Sequence, residues 1–130
     1  MTPAEIAQII ETYFNTQWTD TSIAWPNVPF TPPTDSWVRF HNLPDSTDTD
    51  EIGTGATGVR LGVVKIQIFT LPNIGSRTGA NLAATAEGLF HLKNIEDVKM
   101  KSAYTTDNGL NNDGTWYQHT VNAPYWTFIN

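Results

Sequence analysis

Cysteine is absent from the 130 residues. That removes a disulfide framework, a thiolate metal site and a cysteine nucleophile together. Basic residues are scarce. Seven Lys and Arg stand against thirteen Asp and Glu, a formal net charge of −6. A nucleic-acid binder normally carries a basic face, so this balance argues against one, while contact with a basic protein patch stays open. No apolar run approaches the roughly 18 residues of a membrane span. The start, Met1-Thr-Pro-Ala-Glu5, has neither a basic n-region nor an apolar h-region, so no signal peptide is expected. The expected compartment is the cytoplasm, or a particle assembled there. His41, His91 and His119 are scattered, without H-x-H or H-E-x-x-H spacing, which leaves no zinc motif. There is no G-x-S-x-G elbow either.

The length predicts one domain over residues 1–130. A chain of this size buries roughly two-thirds of its unfolded surface, enough for one core. Five Trp, four Tyr and six Phe supply bulky core or interface material.

The strongest local signal is Val59-Arg-Leu-Gly-Val-Val-Lys-Ile-Gln-Ile-Phe-Thr-Leu71, the longest β-prone run. Alternation puts Gly62, Val64, Ile66 and Ile68 on one apolar face, expected on the core. Leu61, Val63, Lys65, Gln67 and Phe69 share the other, a mixed and partly buried face. A loop follows at Pro72-Asn-Ile-Gly75, then a helix from about Thr78 to Lys93, capped by Ser76 or Thr78. Its expected stripe is Leu82, Ala83, Ala86, Leu89 and Phe90, with small Ala80, Ala83, Ala84 and Ala86 permitting close packing on a sheet.

Upstream, Thr2-Pro-Ala-Glu5 reads as a capping box with Pro in the first turn. Ile6, Ile9, Ile10, Tyr13 and Phe14 then form one stripe of a helix ending near Thr16. Ile23 to Trp25 is a candidate short strand. Four prolines between Pro26 and Pro33 exclude a helix or a central strand there. The segment reads as an extended structural lid, with Trp25 and Phe30 as anchors, in preference to a Pro-rich peptide ligand. Ser36 to Leu43 is a strand that Pro44 ends, with Trp37, Arg39, His41 and Leu43 on one face and Val38, Phe40 and Asn42 on the other. Asp45 to Gly58 reads as an exposed loop. Val98 to Tyr104 is a strand, Asp107 to Gly114 a turn, and Trp116 to Ala123 its hairpin partner. The tail Pro124 to Asn130 is aromatic and expected to dock. The fold class is therefore α+β, in the order α-β-β-β-α-β-β. A mainly antiparallel sheet of four or five strands has two helices packed on one face.

Two motifs invite chemistry and are set aside. Gly53-Thr-Gly-Ala-Thr-Gly58 has G-x-G-x-x-G spacing but opens a strand, whereas a dinucleotide fingerprint opens a helix. Asp45-Ser-Thr-Asp-Thr-Asp-Glu51 gathers four carboxylates, conceivable for Ca²⁺ or Mg²⁺. The EF-hand pattern fails at Ile52, and a solvated acidic loop is the preferred reading. No cofactor and no metal are expected.

The opening Met-Thr-Pro-Ala-Glu-Ile helix, then Ala24-Trp-Pro-Asn-Val-Pro-Phe-Thr-Pro-Pro33, Trp37-Val-Arg-Phe, the strand Arg60 to Phe69, an Ala-rich helix and a late Trp116-Tyr-Gln make a familiar order. It resembles the small tail-completion and tail terminator proteins of long-tailed bacteriophages. The most specific piece is Trp25-Pro-Asn-Val-Pro-Phe-Thr-Pro32, where Trp25, Asn27, Pro29 and Phe30 match the family phrase Trp-x-Asn-x-Pro-Phe. The acidic 45–58 loop is not part of that likeness.

The resemblance implies a virion structural protein of the tail and neck, without catalysis. It implies a homo-oligomeric ring, a hexamer, that caps the head-proximal end of the tail tube. The ring stops tube polymerisation and offers a surface to a head-completion or neck protein. DNA passes through the channel without specific binding, which suits a negative subunit. Contacts to copies or tube are expected in the 44–58, 72–78 and 107–114 loops, at Asp45, Asp48, Asp50, Glu51, Asn73, Arg77, Asn108 and Asn111. Trp25, Phe30, Trp37 and Trp116 are the candidate structural anchors. Rival readings are another neck, head-completion or tube protein, or a small ligand-binding domain or enzyme. The last needs a pocket joining Arg39, His41 and Asp45.

Overall fold

The computed structural model describes residues 2–49 and 58–129, without the side chains of residues 46–49. The chain runs α1(Pro3–Gln17), β1(Ser22–Ala24), β2(Trp37–Thr49), β3(Gly58–Thr70), α2(Arg77–Phe90), β4(Asn94–Ile95), β5(Val98–Met100), β6(Tyr104–Leu110) and β7(Tyr117–Phe128).

Helix α1 begins as its residues dictate. The Thr2 hydroxyl accepts from the Glu5 N–H, and the Glu5 carboxylate accepts from the Thr2 N–H, each at 3.2 Å. Its buried stripe is Ile6, Ile10 and Phe14, with Ile9 and Tyr13 partly covered. The bond from the Thr2 backbone is the main cause that holds the Glu5 carboxyl below its ordinary 4.5, and the Thr2 hydroxyl adds to it. A depressed folded-state value stabilises above pH 4.5 and loses that contribution as pH falls through it. Glu5→Gln is therefore expected to lower the urea midpoint at pH 7, with the deficit shrinking toward pH 3. A pH-independent deficit would contradict this.

The sheet has seven strands in the order β1-β2-β3-β7-β5-β4, with β6 also on β7. It is mixed, because β1 runs parallel to β2 while the other pairs are antiparallel. Residues 25–36 supply the long crossover that a parallel pair needs. They also form the predicted lid. Trp25 sits 5.2 Å from Phe40 and 6.2 Å from Phe14 on the helix side, while Phe30 lies 5.0 Å from Trp37 on the opposite side.

Both helices cover one face. Ile10, Phe14, Ala83, Ala86 and Phe90 meet Val38, Phe40, Val64, Ile66, Ile68, Val121, Ala123 and Tyr125 in one buried cluster. The faces predicted for β2 and β3 are the observed ones. Tyr13 ties the helices together by donating to the Leu89 carbonyl at 2.6 Å.

Several expectations are corrected. Strand β2 does not end at Pro44. It continues to Thr49, with a register shift at Asp45, so much of the predicted 45–58 loop on the described side is ladder. Beyond Arg39 the far edge of β2 has no partner among the described residues, and a proline is tolerated on such an edge. Likewise Pro124 does not begin a docked tail. It lies inside β7, where the neighbour changes from β6, paired to Asn122, to β5, paired from Tyr125. No ladder donor is missing there, and the Pro124 carbonyl accepts from Lys101 N–H at 2.8 Å.

The predicted strand 98–104 is broken at residues 101–103 into β5 and β6, and β4 was unforeseen. These account for the strand count above five. Asp107 to Leu110 belongs to β6. Asn108 is the extra residue of a bulge that Gly109, at φ 75°, makes possible. The turn itself is residues 111–116. Helix α2 stops at Phe90, short of Lys93. Ser76 is its N-cap but makes no side-chain capping bond. Ala80 and Ala84 are exposed, and it is Gly79 that lies against the sheet.

Candidate functional site

With both helices on one side, no helix covers the opposite face of the sheet; its β3 residues from Val59 to Gln67 are half-buried, while Trp37, Phe69, Thr120 and Asn122 on it are buried. The registers assign its residues: Trp37, Arg39, His41 and Leu43 on β2, then Leu61, Val63, Lys65, Gln67 and Phe69 on β3. Thr120, Asn122, Pro124, Trp126 and Phe128 continue it on β7, and Lys99 on β5.

Three zones follow along the strands. At one end Trp37 stacks on Phe69 at 4.1 Å, edge-on to Trp116 at 5.9 Å, with Phe30 over them. The Arg39 guanidinium lies 5.4 Å from the Trp37 ring and 5.7 Å from Phe69, a cation–π position. The middle is polar and basic, with Arg39, His41, Lys65 and Gln67. At the other end Leu43, Val63 and Pro124 lie in one row and Leu61 and Trp126 in the next, with Phe128 beyond, 5.1 Å from Trp126. Leu43 is 45% and Phe128 39% exposed, large for residues on a sheet face.

The predicted contact residues divide between the two ends. Asn73 and Asn111 belong to the loops beside Thr70 and Tyr117, which are register partners, and Arg77 opens α2 just after the first of them. Asp45 lies on the far half of β2, exposed at the register shift. Asp48 is in register with Val59 at that same end, while Asp50 and Glu51 lie outside the described residues. Twelve residue steps along β3 separate the ends, roughly 40 Å. Two predicted residues also have work inside their own chain. The Asn108 side-chain Oδ1 accepts from the Thr120 hydroxyl at 2.6 Å, and the Asn111 side-chain Oδ1 from Trp116 N–H at 3.1 Å. Asn73 is exposed at φ 67°.

The four anchors lie where aromatics meet. Trp25 is on the helix side, and Phe30, Trp37 and Trp116 form the small cluster of the open face. The basic and apolar character of that face was visible as a mixed alternation in β3 and as Trp37, Arg39, His41 and Leu43 sharing one face of β2. What drew it together was the pairing of β2 and β7 on either side of β3, which no local signal carries.

Arg39, His41 and Asp45 are not joined. Arg39 and His41 line a shallow cleft of about 320 Å³ with Trp25, Val28 and Phe30. Asp45 lines a different hollow, of about 190 Å³, with Pro3, Pro44, Arg60 and Tyr125. The histidines stand apart as well. His91 Nδ1 accepts from Ala103 N–H at 3.0 Å, and His119 is buried, 3.7 Å from the Asp107 carboxylate. The Tyr117 hydroxyl, donating at 2.9 Å, is the main cause that holds the Asp107 carboxyl below its usual range, and the same bond raises the Tyr117 phenol. Among the described residues no three His, Asp or Glu gather into a metal-binding group. Among them, too, no helix is long and apolar enough to cross a membrane.

A family model described as phage tail terminator protein matches residues 5–125, from the first turn of α1 into the second half of β7. No curated protein matches by sequence. One solved structure is similar over 95% of this chain and 95% of its own, at a TM-score of 0.59 and 19% sequence identity. At that identity the likeness concerns the fold.

Proposed function

The chain belongs to the phage tail terminator protein family, which makes it a phage tail protein, and from that premise we propose that it acts as the tail terminator. One domain over residues 1–130 joins copies of itself in a closed hexameric ring at the head-proximal end of the tail tube. The ring stops tube polymerisation, meets the tube on one side and a head-completion or neck protein on the other, and lets DNA pass without specific contacts. No catalytic step is assigned to it.

The family match, spanning both helices and nearly the whole sheet, carries this reading. The layout supports it. A subunit between two partners needs two separated contact zones, and the two ends of β3 lie roughly 40 Å apart. Asp45, Asp48, Asp50 and Glu51 are assigned to one zone and Asn73, Arg77, Asn108 and Asn111 to the other. Heterologous contacts that close on themselves give a ring rather than a filament.

Electron microscopy of phage lacking this protein is expected to show overlong tails and heads without tails. Normal joined particles would remove the assignment. Tails of normal length beside unjoined heads would favour a neck protein instead.

A further inference from the structure

Asn108 is the only asparagine in the chain that a glycine follows. With no side chain on the next residue, the Gly109 nitrogen meets little hindrance in approaching the Asn108 side-chain carbonyl. A regular ladder would hold the two residues apart. Here Asn108 is the extra residue of the β6 bulge, exposed and without a register partner on β7. Gly109 stands at φ 75°, with open space where a side chain would begin.

Two groups flank this pair. On the nitrogen side the Gly109 N–H donates to Asp107 Oδ1 at 3.0 Å, within the reach of a general base. The Tyr117 hydroxyl, bonded to Oδ2 of the same side chain, keeps that group a carboxylate at neutral pH. On the carbonyl side the Thr120 hydroxyl donates to Asn108 Oδ1 at 2.6 Å. Thr120 is buried and fixed in β7. A donor placed there polarises the carbonyl and meets the oxyanion that forms when it is attacked. Nucleophile, base, electrophile and oxyanion donor thus lie together on one bulge.

We propose that Asn108 is a site of self-catalysed deamidation, with Asp107 as the base and Thr120 as the oxyanion donor. The Gly109 N–H proton passes to Asp107, and the nitrogen bonds to Asn108 Cγ. The carbonyl electron pair moves onto Oδ1 beneath the Thr120 hydroxyl. The tetrahedral centre then collapses. The Cγ–Nδ2 bond breaks, and Nδ2 leaves as ammonia with the proton that Asp107 held. Water opens the resulting succinimide to aspartate or isoaspartate at position 108. Either product adds a negative charge to a chain already at −6. The reaction needs only the fold, so it stands whether or not the chain closes a ring. Asp113-Gly114 offers a contrast, because the Gly114 N–H donates to the neutral Asn111 backbone carbonyl at 3.0 Å and has no base on it.

The test incubates the full-length chain in neutral buffer and follows each asparagine by peptide mapping and mass spectrometry. Asn108 is expected to convert severalfold faster than any other asparagine, with isoaspartate among its products. Asp107→Asn keeps an acceptor for the Gly109 N–H but loses the charge, and should slow conversion at least about tenfold. Thr120→Val removes the donor and should slow it severalfold, while Thr120→Ser restores the rate. In concentrated urea all four chains should convert at one rate, because the assistance depends on the fold. An Asn108 that outlasts the other asparagines overturns the site. Native rates indifferent to Asp107→Asn and Thr120→Val, or differences that persist in urea, overturn the assigned roles.

Discussion

Phe14→Ala is expected to lower the unfolding free energy by about 3–5 kcal/mol. The ring is fully buried, with Trp18 at 5.5 Å, Trp25 at 6.2 Å, Phe40 at 5.3 Å and Phe90 at 5.9 Å. Those neighbours belong to the end of α1, the crossover segment, β2 and α2. One side chain therefore packs against four parts of the chain at once. Truncation loses the transfer free energy of the ring and leaves a void among rigid rings that collapse poorly. Against a typical total of about 5–15 kcal/mol, the loss is a large fraction. Urea denaturation should show a lower midpoint at unchanged slope. A loss below about 1 kcal/mol would mean that the aromatic cluster repacks around the gap.

Gly79→Ala has the second large effect, and its sign is the informative part. Alanine in a helix is worth about 1 kcal/mol over glycine, which alone predicts stabilisation. Here the new Cβ would lie on the buried His119 imidazole, within contact distance of Nδ1 and Cε1. The ring has little room to yield, with Tyr117 at 5.4 Å and the Asp107 carboxylate at 3.7 Å. Overpacking of this kind costs about 1–3 kcal/mol or more, so the clash wins and α2 lifts from β7. In a His119→Ala background the obstacle is gone, and the same substitution should become neutral or stabilising. Thermal unfolding of the four chains of this cycle reads the coupling directly. Gly79→Ala raising the melting temperature of the otherwise unaltered chain would contradict the packing described.

Features set by neighbouring residues were legible in the sequence. The Thr2–Glu5 box is complete within four positions. The alternation of β3 is strong enough to assign both faces, and the stripe of α1 names its buried residues. Pro44 and Pro124 misled, because a proline reads as a stop only where the ladder needs its donor. Pro44 sits on an open edge, and Pro124 at a change of neighbour. Asp107-Asn-Gly109 carries turn chemistry, but it accommodates a bulge inside β6. The β4–β5 hairpin turns through Glu96, at φ 51°, a residue that no turn rule favours. Trp25 and Phe30 announced themselves as anchors by their setting among prolines. That they lie on opposite sides of the sheet depends on β1 being parallel to β2, which only the tertiary fold reveals. The open face escaped for the same reason, since its cations come from β2, β3 and β5, far apart in sequence.

The position of β7 bears on how the protein is made. This strand lies between β3 on one side and β5 and β6 on the other, so residues 117–128 join halves of the sheet that do not otherwise pair. During synthesis α1 and the β2–β3 hairpin emerge first, but their apolar surface has no middle strand until the ribosome has passed residue 128. Folding is accordingly late and dominated by distant contacts, which slows it. A chain cut short before β7 leaves the β3 edge that β7 pairs with exposed. A chain truncated upstream of residue 117 is thus expected to leave the two parts of the sheet unjoined.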